Sequence, residues 1–378
     1  MPSGTARTFY LLDDPSRDKH FHLYILQGLR EAGFSPLVIY FRGQASRSLF
    51  ASQGFPVLSL DLSTKLYKRF NPWPVMKLAR LWRRFRPVVI HVQRHRPLIY
   101  TALALKLLRA QTPLLYTIRL SRLIRTWNRR LAFKYVSPLV TRVIAVSRGV
   151  GEDFLKRTGF PPERLVVIPN GLDPRPFDLP LTKQEARQIF RLPPGFLFGM
   201  VARFRKAKDH KGLIRAFAQI APRAPEANLA LVGDGPLEGE LKQLVQEHGL
   251  EEKVVFTGRL SPSEIPKVLK AFDVFVHPTF REGMPAAILE AMAARLPIIA
   301  TDAEGVEDIF ETEREIGRLV PKGEVNPLAQ AMFELYSLPQ EKRKAMGEEA
   351  YQRLLEEFTH EKMIQRNVSL YREVLSLE

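Results

Sequence analysis

Two glutamates eight positions apart, Glu282 and Glu290, flank a Gly-Met-Pro turn in the stretch REGMPAAILEAMAARLPIIATDAEG. Because proline fits only the first turn of a helix, a helix is predicted to begin near Pro285 and to end at about Arg295. Its first turn presents unpaired N–H groups and the positive end of the helix dipole, which favour an anion such as phosphate. Glu290 falls among apolar residues, where a carboxylate is costly unless it is hydrogen-bonded. Taken alone, the pair is more typical of a dipole partner and a surface residue on an amphipathic helix.

A second candidate group is cationic. The sequence VARFRKAKDHKGLIRAFAQI places Arg203 and Lys208 between a predicted strand and a predicted helix. Two cations there, opposite a helix N-terminus across a pocket, would neutralise a pyrophosphate. On its own, a solvated basic loop is at least as good an interpretation.

The elements that position these residues alternate between short β-rich runs and segments of helical length and spacing. The runs of the first set are TFYLL (8–12), SPLVIYF (35–41), PVVIHV (87–92), PLLYTI (113–118) and RVIAVS (142–147). Those of the second set are FLFGMVA (196–202), ANLALVG (227–233), KVVFTG (253–258), DVFVHP (273–278), LPIIATD (296–302) and GRLV (317–320). The alternation predicts an α/β fold of two Rossmann-like domains facing a central cleft, where the carboxyl ends of parallel strands bind ligands.

The proline-rich segment 169–180 separates the two sets of strands. We therefore predict an N-terminal domain at residues 1–173 and a C-terminal domain at residues 174–359. An amphipathic helix is expected over about 360–376. We expect this C-terminal helix, within residues 360–378, to pack back on the first domain.

Charge is distributed unevenly between the two halves. Residues 1–173 hold 29 lysines and arginines against 9 aspartates and glutamates, a net charge of +20, whereas the remaining residues hold 28 against 31, a net charge of −3. Between Asp61 and Glu152 there is no acidic residue. Such a half attracts a polyanion: nucleic acid, an anionic membrane surface or a phosphorylated acceptor.

Other features of composition narrow the class of protein. The chain has no cysteine, which excludes disulfides and thiolate metal sites. The longest apolar stretch, PLIYTALALKLL, is too short to cross a bilayer, and the first residues contain no apolar signal segment. We therefore expect a cytoplasmic protein.

Four sequence blocks, in order and at matching intervals, resemble the retaining GT-B glycosyltransferases of family 4, the glycogen-synthase-like group with the E-x7-E motif. The resemblance covers about residues 140 to 375. The blocks are IAVSRGVGEDFLKRTGFPPERLVVIPNGLD, VARFRKAKDH, LALVGDGPLEGELKQLVQEHGLEEKVVFTGRL and FVHPTFREGMPAAILEAMAARLPIIATDAEGVEDIF.

This resemblance implies a role for each residue of the motifs. Arg203 and Lys208 are expected to hold the donor diphosphate and to stabilise it as it leaves. Glu282 is expected to contact the donor sugar as a catalytic residue, and Glu290 to bind the ribose hydroxyls, so each sugar of a nucleotide-sugar has one carboxylate. The other donor-binding residues that the resemblance implies are Gly283, Met284, Pro285, Ala286, Arg259 and Leu260. The donor is a nucleotide-diphosphate sugar, UDP-linked as the first hypothesis, and no essential metal or other cofactor is expected.

The N-terminal third departs from the family pattern. The family usually carries a Gly-Gly loop after the first strand, where this chain has Ser16 and Arg17 in LLDDPSRDKHFHLYIL. It often has a histidine after the fourth strand, where YTIRLSR has an arginine. The candidate acceptor-side residues are Asp13, Asp14, Asp18 and Arg119. For the three aspartates, roles as turn and helix-cap residues are an equally good interpretation.

Three further motifs are given structural interpretations. The GDGP sequence at 233–236 is expected to be a tight turn, and no Asp-x-Asp metal cluster occurs in the chain. His91 and His95 lack a third metal ligand and are interpreted as structural or acceptor-side residues. Ser147 lacks the glycine-flanked elbow of a hydrolase nucleophile.

The sequence therefore predicts transfer of a sugar, with retention, to a lipid-linked or phosphorylated glycan acceptor in lipopolysaccharide or other cell-envelope glycan biosynthesis. A GT-B epimerase or phosphorylase is the alternative enzyme. A basic nucleic-acid-binding protein is a distant alternative, because no helix-turn-helix, zinc or aromatic RNA-binding signature accompanies the charge. We predict no nucleic-acid partner.

Two segments predict where the enzyme works. Residues 63–85 and 119–136 combine lysine and arginine with leucine, tryptophan, phenylalanine and tyrosine at helical spacing. Helices of this kind lie on anionic interfaces with their cations on lipid phosphates. The predicted location is therefore peripheral, at the inner face of the cytoplasmic membrane. Within these helices, Leu78, Leu81 and Leu131 are expected to face the sheet in part.

Overall fold

The computed structural model describes residues 6–63, 71–121 and 124–376. The chain divides into two compact units. The first unit contains the residues up to Gly171 and those from His360 onward, and the second contains Leu172–Thr359. Leu172 and Asp173, which the sequence analysis placed in the first domain, lie in the second unit.

The first unit is built on a seven-stranded parallel sheet with the order β3-β2-β1-β4-β5-β6-β7. The strands are β1 (Ala6–Leu12), β2 (Phe34–Tyr40), β3 (Val57–Ser59), β4 (Val89–Val92), β5 (Leu114–Ile118), β6 (Arg142–Ala145) and β7 (Leu165–Val167). The helices that follow them are α1 (His20–Glu31), α2 (Leu49–Ser52), α3 (Trp73–Phe85), α4 (His95–Leu108), α5 (Trp127–Val136) and α6 (Arg148–Thr158). The short edge strands β3 and β7 were not predicted.

The second unit is built on a six-stranded parallel sheet with the order β10-β9-β8-β11-β12-β13. Its strands are β8 (Phe196–Val201), β9 (Ala227–Val232), β10 (Val254–Gly258), β11 (Val274–His277), β12 (Ile298–Thr301) and β13 (Gly317–Val320). Its helices are α7 (Lys183–Phe190), α8 (His210–Ile220), α9 (Glu238–Glu247), α10 (Ile265–Leu269), α11 (Ala286–Ala293), α12 (Glu307–Phe310), α13 (Val325–Ser337) and α14 (Gln340–Glu357). The predicted fold class, two Rossmann-like α/β domains with parallel sheets, is confirmed.

The last helix, α15 (His360–Ser376), belongs to the first unit and packs against α1. Gly28 on α1 permits this close approach, because a Cβ at that position would overlap Cγ2 of Ile364. Tyr371 of α15 is fully buried in the core beneath β1, β2 and β4. Its hydroxyl lies 3.0 Å from Nδ1 of His91. The helix therefore completes one side of the core of the first unit.

Candidate functional site

The candidate site in the second unit lies where the strand order reverses. Strands β8 and β11 are neighbours in the sheet, although two other strands separate them in the sequence. The loop after β8 carries Arg203 and Lys208, and the loop after β11 carries Glu282. Such a reversal opens a crevice at the carboxyl ends of the strands, where open α/β sheets bind ligands.

Two hydrogen bonds fix these loops against each other. The backbone N–H of Phe280 and the hydroxyl of Thr279 both donate to the carbonyl oxygen of Ala207, at 2.9 and 2.7 Å. Thr279 is buried and is bonded in turn to Thr301, at the end of β12. The loop that contains Lys208 is thus held by the strand ends beside it.

The GDGP turn also supports the loop after β8. Gly235 has a positive φ of 157°, and a Cβ there would press on the backbone of Phe204. The N–H of Phe204 donates to the carbonyl oxygen of Asp234 at 2.8 Å. Glycine at position 235 therefore lets the segment next to Arg203 approach the turn closely.

Lys208 and Glu282 form an ion pair, in which Nζ of Lys208 donates to Oε1 of Glu282. Both side chains are largely buried, with 24% and 13% of their surface exposed. Burial lowers the pKa of Lys208 to about 8. The two residues that the sequence separated by 74 positions thus lie together, whereas Arg203 is exposed on the same loop.

His277 is a third member of this group that the sequence analysis did not identify. It is the last residue of β11 and is fully buried, with its Nε2 3.3 Å from Oε1 of Glu282. Burial, reinforced by the positive charge of Lys208, holds the pKa of His277 well below its usual value, so the ring is neutral. A neutral ring that bonds a carboxylate through Nε2 carries its proton there. Its position at the carboxyl end of a strand in DVFVHP was the available signal.

Helix α11 begins at Ala286, directly after Pro285, and ends at Ala293, close to the predicted bounds. Gly283, Met284 and Pro285 are buried in the turn before it, and Ala286 is exposed at its first position. Among the described residues, no side chain caps this N-terminus. Its first N–H groups are therefore open to an anionic ligand.

The remaining donor-side candidates are spread more widely. Glu290 is the fifth residue of α11 and is partly buried. Arg259 and Leu260 follow β10, two strands away from β8, with Arg259 exposed and Leu260 partly buried. Glu290 is thus on the helix that follows β11, and Arg259 and Leu260 are in the loop that follows β10. The contacts of these three residues with a nucleotide-sugar stay predictions.

The three aspartates of the first unit have partners within that unit. Asp14 caps the short helical turn at Pro15–Arg17 by accepting a bond from the N–H of Ser16 at 2.9 Å. Asp13 pairs with Arg42 at 3.3 Å. Asp18 accepts bonds from the side chains of Tyr40 and Ser48 and from the N–H of Leu49, and burial raises its pKa. The contact of Asp14 matches the turn and cap interpretation, whereas Asp13 and Asp18 bind residues of other elements. An acceptor role for the three aspartates stays a prediction.

Arg119 directly follows β5, at the carboxyl end of the first sheet. It donates to Gln93 and Asn170 and lies over the ring of Phe21. His91 is buried beside Gln93 and bonds Tyr371 and Thr117, which agrees with its structural interpretation. Arg119 is therefore a charged group in a mostly neutral polar network.

Comparison with known proteins gives one family match on each half of the chain. Residues 22–175 match the model described as Glycosyltransferase Family 4, and residues 182–353 match the model described as Glycosyl transferases group 1. Together with the fold, these matches support a GT-B glycosyltransferase of family 4.

Several known proteins are similar to part of this chain or share its fold. The putative glycosyltransferase EpsF of Bacillus subtilis (strain 168) is 31% identical over 186 residues, 47% of each chain. An Escherichia coli UDP-Gal:alpha-D-GlcNAc-diphosphoundecaprenol alpha-1,3-galactosyltransferase is 30% identical over 203 residues, 52% of each chain. The alignments thus span about half the length of these relatives. Anabaena Alr3699/HepE in complex with UDP shares the fold, with a TM-score of 0.82 and 23% identity over 98% of this chain and 100% of that chain.

Within residues 6–63, 71–121 and 124–376, no group of three or more histidine, aspartate or glutamate side chains is arranged to hold a metal ion. In the same part of the chain, no helix combines the length and the apolar character needed to span a bilayer. Metal independence stays a prediction.

Proposed function

We propose that the protein transfers a sugar from a UDP-sugar to an acceptor in cell-envelope glycan biosynthesis, with retention at the anomeric carbon. The observation that carries this proposal is the Lys208–Glu282 pair with His277, at the strand reversal of the second unit. A UDP donor is supported by the structurally similar HepE, which was solved with UDP and with UDP-glucose. A lipid-linked acceptor is supported by the name of the E. coli relative, which acts on a diphosphoundecaprenol-linked sugar.

In the proposed reaction, the donor diphosphate binds Arg203 and Lys208 and the first turn of α11. Glu282 contacts the donor sugar and Glu290 the ribose hydroxyls. The bond from the anomeric carbon to the diphosphate breaks while the acceptor hydroxyl bonds to that carbon from the same face. The acceptor proton passes to the departing phosphate oxygen. Preorganised cations at the site of the developing negative charge are the main source of stabilisation.

Binding of the donor is the first test of this function. A ligand at 100 times its dissociation constant raises stability by about 2.7 kcal/mol, which a thermal-shift assay resolves readily. We expect UDP and UDP-sugars to stabilise the protein more than the GDP and ADP forms. If none of these compounds changes the melting temperature, the function is contradicted.

Product analysis separates the enzyme alternatives. A glycosyltransferase releases UDP only together with a glycosylated acceptor, whereas an epimerase converts the donor sugar without any acceptor. A phosphorylase requires inorganic phosphate. Conversion of the donor without an acceptor, or a requirement for inorganic phosphate, would contradict the proposed reaction.

The second part of the proposal is that the enzyme works on an anionic membrane. Trp127, Leu131 and Tyr135 lie four residues apart on α5 and are 71%, 46% and 58% exposed. This spacing places the three side chains on one face of the helix. Arg129 and Arg130 beside them are exposed. An apolar stripe among cations is the pattern of an interfacial helix.

The same arrangement corrects one prediction. Leu78 is buried and Leu81 is partly buried, as expected, but Leu131 faces outward. The reason is that α5 directs Phe133 and Val136 into the core, which turns Leu131 to the opposite side. Residues 64–70 and 122–123 of the two basic segments lie outside the described residues.

Helix α3 adds a second basic surface. It packs against α4, as α5 does. Its Trp73 and Met76 are 40% and 48% exposed, and its Arg83 and Arg84 are also exposed. Each cation near an anionic surface contributes about 1 kcal/mol.

Vesicle co-sedimentation tests membrane binding. Binding should increase with the fraction of phosphatidylglycerol and decrease with salt. A double charge reversal, Arg129→Glu with Arg130→Glu, should weaken it, as should Arg83→Glu with Arg84→Glu. The matched control is Lys342→Glu with Lys344→Glu on α14, where both lysines are exposed. Equal recovery in the supernatant with neutral and anionic vesicles at low salt would contradict the membrane proposal but not the donor site.

A further inference from the structure

Arg119 is held rigidly at the carboxyl edge of the first sheet. Its Nε and Nη2 donate to Oε1 of Gln93 at 3.2 and 3.1 Å, and its Nη1 donates to Oδ1 of Asn170 at 2.6 Å. The guanidinium lies 4.0 Å from the centre of the Phe21 ring. Gln93 follows β4 and Asn170 follows β7, so three strand ends fix one arginine.

The positive charge of Arg119 is not matched by a negative one. Gln93, Asn170 and Phe21 are all neutral, and no carboxylate among the described residues forms an ion pair with Arg119. Burial lowers the pKa of Arg119 to about 10, which still leaves it charged at neutral pH. The segment that contains Arg119 supplies no acid either, because no acidic residue lies between Asp61 and Glu152.

The neighbouring charges have the same sign. Arg94 lowers the pKa of Arg119 further, and both arginines, together with Lys19, lower that of the buried His22. His22 and His91 are thus kept neutral next to a cation. The surroundings of Arg119 therefore have a positive potential that favours an anion.

A partly buried cation with only neutral partners is costly, because amide oxygens replace the lost hydration incompletely. The free-energy cost of burying this cation falls when a carboxylate or phosphate binds next to it. Arginine suits such a partner because its planar fork of N–H groups matches the geometry of both anions. The fixed orientation of Arg119 means that little side-chain entropy is lost when the anion binds.

We propose that Arg119 binds a carboxylate or phosphate group of one of the two glycosyl-transfer substrates, so that the enzyme selects an acidic sugar. This inference rests on the proposed function and specifies its substrate class. The anionic group has two possible sources: the carboxylate of a uronic acid donor, or a phosphate on the acceptor. The competing account is that Arg119 only ties three loops together.

Titration calorimetry on the 378-residue chain distinguishes the two sources of the anionic group. In the donor arm, UDP-glucuronate is compared with UDP-glucose. In the acceptor arm, glucose 6-phosphate is compared with glucose in the presence of UDP. We expect one charged probe to bind at least about 10-fold more tightly than its neutral counterpart, a difference typical of a charge-assisted hydrogen bond. Arg119→Gln should abolish this preference and Arg119→Lys should retain part of it.

The matched control is Arg109→Gln, which removes the same charge from an exposed residue at the C-terminal end of α4. This variant should keep the preference for the charged probe. Affinity for UDP alone reports whether each variant still binds the donor, and the thermal unfolding transition reports whether its first unit is folded. If both charged probes bind no better than the neutral ones, or if Arg119→Gln leaves the preference unchanged, the inference is wrong while UDP binding still supports the proposed function. If the unmodified protein does not bind UDP, both are wrong.

Discussion

Lys208→Ala is expected to lower kcat by about 10²- to 10³-fold, the usual loss when one preorganised group that stabilises transition-state charge is removed. In the free protein, the ammonium of Lys208 is paired with Glu282. In the proposed reaction it stabilises the departing diphosphate, and alanine offers no charge at that point. The measurement is steady-state release of UDP from a UDP-sugar, with the acceptor at saturation. KM should change less than kcat, because the charge to be stabilised grows in the transition state.

The control for this variant is Lys206→Ala. Lys206 lies on the same short turn but is exposed, so its loss removes the same charge without removing the contact with Glu282. Turnover of Lys206→Ala should stay within a few-fold of the unmodified enzyme. Near-normal turnover of a folded Lys208→Ala protein would refute the assignment of Lys208.

The lowered pKa of Lys208 gives the same assignment a pH signature. A diphosphate binds the charged ammonium of Lys208, whose pKa in the ligand-free protein is about 8. The dissociation constant of a UDP-sugar should therefore rise between pH 7 and pH 9, as the ammonium loses its proton. In Lys208→Arg the guanidinium stays charged over this range, so the profile should become flatter. Dividing the pH profile of the unmodified protein by that of Lys208→Arg removes the contribution from titration of the ligand, because the ligand is the same in both.

Tyr371→Ala is expected to lower the free energy of unfolding of the first unit by about 3–5 kcal/mol, in the range found for removal of a large buried aromatic side chain. Tyr371 is fully buried between α15 and the sheet, and its ring makes an edge contact with Phe34. Truncation leaves a cavity at the junction of α15 with the core. The expected fall in melting temperature is on the order of 10 °C for a unit of this size, followed by circular dichroism or calorimetry.

Tyr371→Phe separates packing from hydrogen bonding. It keeps the ring but removes the hydroxyl that lies 3.0 Å from Nδ1 of His91. A buried polar group without a partner costs about 1–3 kcal/mol, so this variant should be less destabilised than the alanine variant. A Tyr371→Ala protein with unchanged stability would show that α15 does not contribute to the core.

The sheets were largely predictable because a strand buried on both faces is a nearly continuous apolar run. FLFGMV in β8 and LLYTI in β5 are of this kind, and each was assigned within about two residues. Strands β3 and β7 were missed because each has three residues, all only partly buried at a sheet edge. Nothing in such a short segment distinguishes it from a loop.

The sequence predicted a residue of the candidate site only where a charged side chain directly follows a recognisable strand. Charged residues after strands indicated Lys208 and Glu282 separately, but their pairing depends on β8 and β11 being neighbours, which is a property of topology. His277 was missed because a histidine that ends an apolar strand is indistinguishable from a core residue until its ring is seen beside a carboxylate. Likewise, the resemblance to family 4 placed Arg119 where that family often has histidine, but it did not indicate that the partners of Arg119 are neutral.

The return of α15 to the first unit affects the order in which the protein can fold during synthesis. The second unit is one continuous stretch, Leu172–Thr359, and all its strands have left the ribosome before α15 is made. The first sheet is translated earlier, yet the face of α1 and the pocket around His91 stay uncovered until Tyr371 emerges. The half that is made first is therefore completed last, and its apolar surface stays open to chaperones or misassembly for as long as translation of nearly two hundred further residues takes.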